Sequence, residues 1–166
     1  SLIMAQAGLY VPANTFEYHP FHNIFTRLTK DDNIFRGQSS FAVEMSELRN
    51  ILYRSNRNSI VFGDELCSGT ESNSALAIVT SGILHLHKKG VPFIFATHLH
   101  DLVKIPSIQQ IGSINAYHLS VEYNRESDKL VYDRKLKPGN GSTLYGIEVC
   151  KSMDMPGDFM KTAQKI

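Results

Sequence analysis

The sequence has few cysteines, almost no net charge and no long apolar run. Its two cysteines, Cys67 and Cys150, are far apart and form no CxxC pair, which argues against a zinc ribbon or a disulfide framework. A net charge of +1 over 166 residues gives no overall basic field, so nucleic-acid contacts would depend on local patches or on other segments. No membrane-span pattern or signal peptide is recognisable. We therefore expect a soluble, intracellular protein.

A phosphate-binding motif and an initiator methionine are also missing. Neither Gly-Lys-Ser nor Gly-Lys-Thr occurs, so the chain cannot by itself form a phosphate loop of the GxxxxGK type. The chain starts at Ser1 and already has a helical pattern from Leu2 onward, with no capping segment before it. We expect a fragment cut from a longer polypeptide.

The 42% of apolar residues is arranged in alternating strand and helix patterns. The stretches "NIFTRL" and Ile60–Phe62 are predicted strands, separated by a helix in "SSFAVEMSELRNILYRS" whose acidic residues Glu44 and Glu47 are assigned to solvent. A second helix, about 73–89, precedes the continuous apolar run Val91–Ala96, which is typical of a parallel strand buried on both faces. The pattern predicts neighbouring parallel strands joined by helices.

The hydrophobic pattern of the chain changes after Pro106. "INAYHLSVEY" and "KLVYDRKL" alternate polar and apolar residues around the turn "NRESD" and predict an antiparallel hairpin. Ser142 is a candidate cap for a helix that runs to about Met153, and Pro156 suits the first turn of a last helix. The expected fold class is α/β, with parallel central strands, a C-terminal antiparallel hairpin and a terminal helical pair.

Chemically active side chains follow both central strands. Asp64 and Glu65 follow the strand Ile60–Phe62 and Gly63, and His98 follows the strand Val91–Ala96. All three are therefore expected at the carboxyl edge of one sheet, where α/β proteins bind ligands. An Asp there can bind Mg²⁺, a Glu can accept a proton from a water aimed at a γ-phosphate, and a His can stabilise that phosphate. The alternative is a solvated strand end without a ligand.

Two further candidate sites have simpler explanations. Ser39 and Ser40 begin a helix, where free N–H groups can bind an anion, but a serine is also an ordinary helix cap. Histidines at 85, 87, 98 and 100 suggest zinc, yet His85 and His87 are two residues apart on a helix and do not share a face. Cys67 and Cys150 are expected to be unreactive small residues.

Four segments in order, "NIFTRL", "GQSSFAVEMSELRNIL", "VFGDELCSGTES" and "FIFATHLHDL", resemble the ATPase domain of the MutS family of DNA mismatch-repair proteins. The resemblance covers nearly the whole chain. It implies a P-loop NTPase fold of the ABC type, ATP and Mg²⁺ as ligands, composite ATP sites in a homodimer or a dimer with a related subunit, and action on mismatched double-stranded DNA through other domains. It also implies that the phosphate loop (Walker A) lies shortly upstream of Ser1.

The resemblance assigns roles residue by residue. Asp64 and Glu65 match the Walker B acids, for Mg²⁺ and for the attacking water, and His98 matches the switch histidine. Ser39, with Ser40 beside it, matches the serine that reaches the partner subunit's γ-phosphate, and Ser68, Gly69 and Thr70 match the interface loop after Walker B. Residues 1–138 would then be a partial ATPase domain, and residues 139–166 the start of a helical dimerisation region.

The sequence departs from the common family wording in one place. "DELCSGT" stands where most members have "DEIGRGT", and this form is similar to the branch found in octocoral mitochondria and giant viruses. The resemblance therefore implies a mitochondrial or a viral or cytoplasmic DNA compartment as one expectation. Two alternatives stay open. The first is a non-catalytic dimerisation or interaction module that has lost its phosphate loop. The second, less favoured because an LSGGQ-like signature is absent, is another ABC-type DNA-maintenance ATPase.

Overall fold

The computed structural model describes residues 1–27, 40–124, 129–141, 145–153 and 155–165, and these divide into two compact units, Ser1–Leu99 and His100–Ile166. Among its described residues, the first unit contains three helices and three strands: α1 (Leu2–Gln6), β1 (Asn23–Arg27), α2 (Ser40–Arg54), β2 (Ser59–Asp64), α3 (Ser72–Lys88) and β3 (Phe93–Ala96). None of the described helices is long and apolar enough to cross a membrane.

The three strands of the first unit form one parallel sheet in the order β1-β2-β3. This arrangement confirms the predicted parallel pairing of the two central strands. The register aligns Phe25 with Val61 and Val61 with Phe93, so these three side chains share one face of the sheet.

The core of the first unit lies on that face. Val61 packs with Ile51 of α2 and Leu86 of α3, and Phe93 and Phe95 pack against this cluster. Apolar residues at helical spacing in α2 and α3 therefore cover the strand between them, which is the packing that their sequence pattern indicates.

Strand β3 is not buried as the sequence indicates. Ile94 is 63% exposed, whereas Phe93 and Phe95 contact the core, so the prediction of burial on both faces is wrong. The physical reason is that α2 and α3 both contribute to the same core, and alternate side chains of β3 point to the opposite face. A continuous apolar run does not reveal this one-sided packing.

The second unit contains a 3₁₀ turn (His100–Lys104), the short helix α4 (Pro106–Gln109), the hairpin strands β4 (Tyr117–Asn124) and β5 (Lys129–Pro138), and helices α5 (Tyr145–Ser152) and α6 (Gly157–Ala163). The strands pair antiparallel, which confirms the predicted hairpin. Pro156 is the N-cap residue of α6, one position before the first turn in which the sequence predicts it. Ser142 lies outside the described residues.

Candidate functional site

Strand β2 carries the two adjacent carboxylates to the carboxyl edge of the sheet. Asp64 is the last residue of β2 and is aligned with Ala96, the last residue of β3. The backbone N–H of Glu65 donates a hydrogen bond to the Ala96 carbonyl oxygen at 2.9 Å. This bond extends the pairing of the two strands by one residue and fixes where the Glu65 side chain begins.

Glu65 faces the histidine that follows the neighbouring strand. His98 Nε2 lies 2.9 Å from Glu65 Oε1, and the two side chains are 86% and 43% exposed. The turn that carries His98 is held by Thr97, whose Oγ1 accepts a hydrogen bond from the Leu99 N–H at 3.1 Å. A carboxylate and an imidazole at hydrogen-bond distance on an accessible sheet edge can hold or transfer a proton.

The loop from Glu65 to Thr70 has an unusual backbone. Glu65 and Cys67 have φ values of 48° and 63°, a region that residues other than glycine rarely adopt. Inside the loop, the Ser68 N–H donates to the Glu65 carbonyl at 3.2 Å and the Thr70 N–H to the Cys67 carbonyl at 3.3 Å. Such a backbone persists only where surrounding contacts determine it, so the loop needs additional support.

That support comes from Glu44 on α2. Its Oε1 accepts a hydrogen bond from the Cys67 backbone N–H at 2.7 Å, and Glu44 is only 6% exposed. The assignment of Glu44 to solvent was therefore wrong. The helical spacing of residues 44, 48 and 51 could have predicted the burial of Glu44, because it places Glu44 on the same helix face as Leu48 and Ile51. Both of these residues are buried in the structure.

Cys67 is fully buried beside the acidic pair. Burial, together with the negative charge of Glu44, raises the pKa of the Cys67 thiol to about 11. Because the thiolate is the reactive form, the thiol is protonated and unreactive at neutral pH. This agrees with the expectation that Cys67 is a small structural residue.

Asp64 is suited to bind a magnesium ion. It is exposed at the end of β2, and in the part of the chain that the structure describes it takes part in no ion pair. Magnesium needs only one or two protein carboxylates when phosphates and waters complete its shell, and Asp64 fits that donor set. Over the same described residues, no cluster of three or more His, Cys, Asp or Glu side chains forms an all-protein metal site.

The remaining predicted residues have different outcomes. Ser68 and Gly69 are exposed and Thr70 is half-buried, all in the loop that follows Glu65. Ser40 begins α2, whereas Ser39 lies outside the described residues. His85 and His87 are exposed in the last turn of α3.

The fold and the site together define a mixed α/β chain with paired carboxylates at the end of a parallel strand. A family model for MutS domain V matches residues 1–166. The chain therefore belongs to the MutS family.

Similar proteins are named for DNA mismatch repair. The chain is 43% identical over its whole length to a DNA mismatch repair protein mutS homolog of Acanthamoeba polyphaga mimivirus. It is 41% identical over 99% of its length to the mitochondrial DNA mismatch repair protein mutS homolog of Sarcophyton glaucum, and 36% identical over 99% to DNA mismatch repair protein MutS of Caldanaerobacter subterraneus. It spans only 15%, 16% and 19%, respectively, of these relatives.

Proposed function

We propose that this chain is part of a DNA mismatch-repair ATPase, a P-loop NTPase of the ABC type that binds and hydrolyses ATP to change conformation on mismatched DNA. Family membership and the names of the relatives support the process. The observation that carries the ATPase assignment is the arrangement of Asp64, Glu65 and His98 at one sheet edge, with Glu65 and His98 2.9 Å apart.

Each of the three residues has a separate task in this proposal. Asp64 would hold Mg²⁺, and the bound ion would neutralise charge on the nucleotide phosphates. Glu65 would orient the attacking water and accept its proton. His98 would stabilise the γ-phosphate, and its contact with Glu65 would hold the carboxylate in the direction of the water.

The proposal also needs residues outside this chain. A phosphate loop would come from another segment, and mismatched double-stranded DNA would be bound by other domains. Ser39, Ser40 and the loop Ser68–Thr70 would face the ATP of a second subunit, either another copy or a related protein. Residues 139–166 would begin the helical region that supports this dimer.

The first experiment is to sequence the transcript upstream of Ser1 and translate it in frame. A GxxxxGK motif before a helix that continues into α1 is the expected result. The longer polypeptide would then be assayed for ATP binding and turnover. A stop codon or an unrelated sequence there would favour the non-catalytic dimerisation module instead.

In the longer polypeptide, Glu65→Gln tests the catalytic base. We expect unchanged Mg²⁺-dependent ATP binding and a fall in turnover of about 100-fold or more, because the water loses its proton acceptor. Glu71→Gln is the matched control, since Glu71 is an exposed carboxylate at the end of the same loop. Turnover by the Glu65 variant at the rate of the Glu71 variant would reject the assignment.

A mixing experiment tests whether sites are shared between subunits. Ser39→Ala and Asp64→Ala inactivate a composite site from opposite subunits. Mixing the two variants therefore creates some dimers in which both changes fall on one site while the other site is intact. Partial recovery of turnover is expected, and identical losses in every mixture would contradict a composite site.

A further inference from the structure

The buried carboxylate of Glu44 has no task in the function proposed so far. It lies in the second turn of α2 and reaches the backbone of the loop that follows Asp64 and Glu65. Its hydrogen bond to the Cys67 N–H, 2.7 Å long, is shorter than the 3.2 Å and 3.3 Å bonds within the loop. A short bond to an ionised acceptor is among the stronger hydrogen bonds in a protein.

A comparison with Glu47, one turn further along α2, shows that the position of Glu44 is specific. Glu47 is half-exposed, and its Oε2 lies 2.8 Å from Arg27 Nε, so it fixes α2 to β1 by an ordinary ion pair. Glu44 forms no ion pair among the described residues. Burying a carboxylate is costly unless it is hydrogen-bonded, so the bond to the Cys67 N–H offsets part of the cost of burying Glu44.

The contact also explains the loop backbone. Glu65 and Cys67 both have positive φ, and Glu44 binds the N–H of the second of these residues. Positive φ at residues other than glycine persists where neighbouring groups hold it, and this acceptor holds the residue two positions after Glu65. The hydrogen bond thus links the loop backbone to α2.

We propose that Glu44 is a positioning residue that couples the start of α2 to the loop 65–70 and thereby sets the orientation of Glu65. The inference rests on the function proposed above. Because α2 begins at Ser40, one of the two serines expected to meet the partner's nucleotide, a shift of this helix would reach the catalytic base through Glu44. Glu44 itself does not touch the reacting atoms.

Labelling of Cys67 tests the coupling without any ATPase assay. In a Cys150→Ser background of the full chain, N-ethylmaleimide labels Cys67 slowly at neutral pH because this thiol is buried and its pKa is about 11. Glu44→Leu removes the acceptor, and labelling should become about tenfold faster. Glu44→Gln keeps an oxygen acceptor, so its labelling rate should stay within about threefold of the parent.

Two controls separate this effect from general destabilisation. Glu47→Leu removes a carboxylate from the same helix and should leave Cys67 labelling unchanged. Leu48→Ala weakens the core beside Glu44 and keeps the hydrogen bond. At equal free energy of unfolding, Cys67 should therefore be labelled more slowly in the Leu48→Ala variant than in the Glu44→Leu variant. Labelling of Glu44→Leu no faster than that of Leu48→Ala would overturn the proposal.

Kinetics of the longer polypeptide provide the second readout. Glu44→Leu should lower kcat about tenfold and change KM for ATP by a smaller factor, because the loop that carries the base moves whereas Asp64, at the end of β2, lies outside that loop. Glu44→Gln should restore kcat. If KM rises and kcat does not fall, the positioning role is wrong. If the unmutated polypeptide shows no turnover, the proposed function fails, whereas the labelling result still decides the coupling.

Discussion

The two units of the chain contain similar apolar side chains but bury them to different extents. In the first unit, Val61 and Leu86 are almost inaccessible because α2 and α3 cover the sheet. In the second unit, Leu119 and Leu136 are aligned across β4 and β5, and Leu136 is 70% exposed. Alternation in a strand therefore indicates which residues share a face, whereas burial requires another layer that covers this face.

The largest effect is expected from the core of the first unit. Leu86→Ala removes a fully buried side chain that contacts residues from α2 and β2, and should lower the free energy of unfolding by about 3–5 kcal/mol. Urea denaturation followed by circular dichroism measures this change. A loss below about 1 kcal/mol would show that the Leu86 site is much less densely packed than it is in the structure.

Gly63→Ala should have the next largest effect. A Cβ at Gly63 would lie 2.8 Å from Phe95 Cδ1 and 3.1 Å from Leu66 Cδ1, so neighbouring side chains must move at a cost of about 1–3 kcal/mol. The matched control is Gly82→Ala in α3, where no heavy atom beyond the chain neighbours and the surrounding helix backbone lies within 4 Å of the added Cβ. This control should stabilise the helix by about 0.5–1 kcal/mol, and an equal response of both variants would contradict the packing around Gly63.

The grouping of side chains at the carboxyl edge of the sheet could be predicted from the sequence. Parallel strands end at one edge, so Glu65 and His98 could be placed together from the strand pattern alone, and the structure brings them to 2.9 Å. Glu44 was missed because a charged residue was assigned to solvent, although residues 44, 48 and 51 share a helix face. Cys67 has positive φ and donates its N–H to Glu44 of α2, a contact between distant residues that no local pattern in the sequence encodes.

A smaller effect is expected at the end of α2. Lys89 Nζ donates a hydrogen bond to the Leu52 carbonyl at 2.7 Å, where the helix leaves carbonyl groups without intrahelical partners. Lys89→Met should cost about 1 kcal/mol, since it removes both the bond and a favourable charge. Lys88→Met changes the exposed neighbour and should stay within about 0.5 kcal/mol of the parent protein. Equal losses in the two variants would assign the effect to net charge.

The smallest effect is expected from Leu136→Ala, the same substitution as in the core but on the exposed hairpin. Leu136 is aligned with Leu119 on the neighbouring strand, so the change removes one cross-strand contact and leaves no closed cavity. The free energy of unfolding should change by no more than about 0.5 kcal/mol. Leu86→Ala and Leu136→Ala are the same substitution, so the difference between their losses of unfolding free energy under the same conditions measures the effect of burial. If Leu136→Ala were as destabilising as Leu86→Ala, the hairpin face would be covered in solution, and the contrast between the two units would not hold.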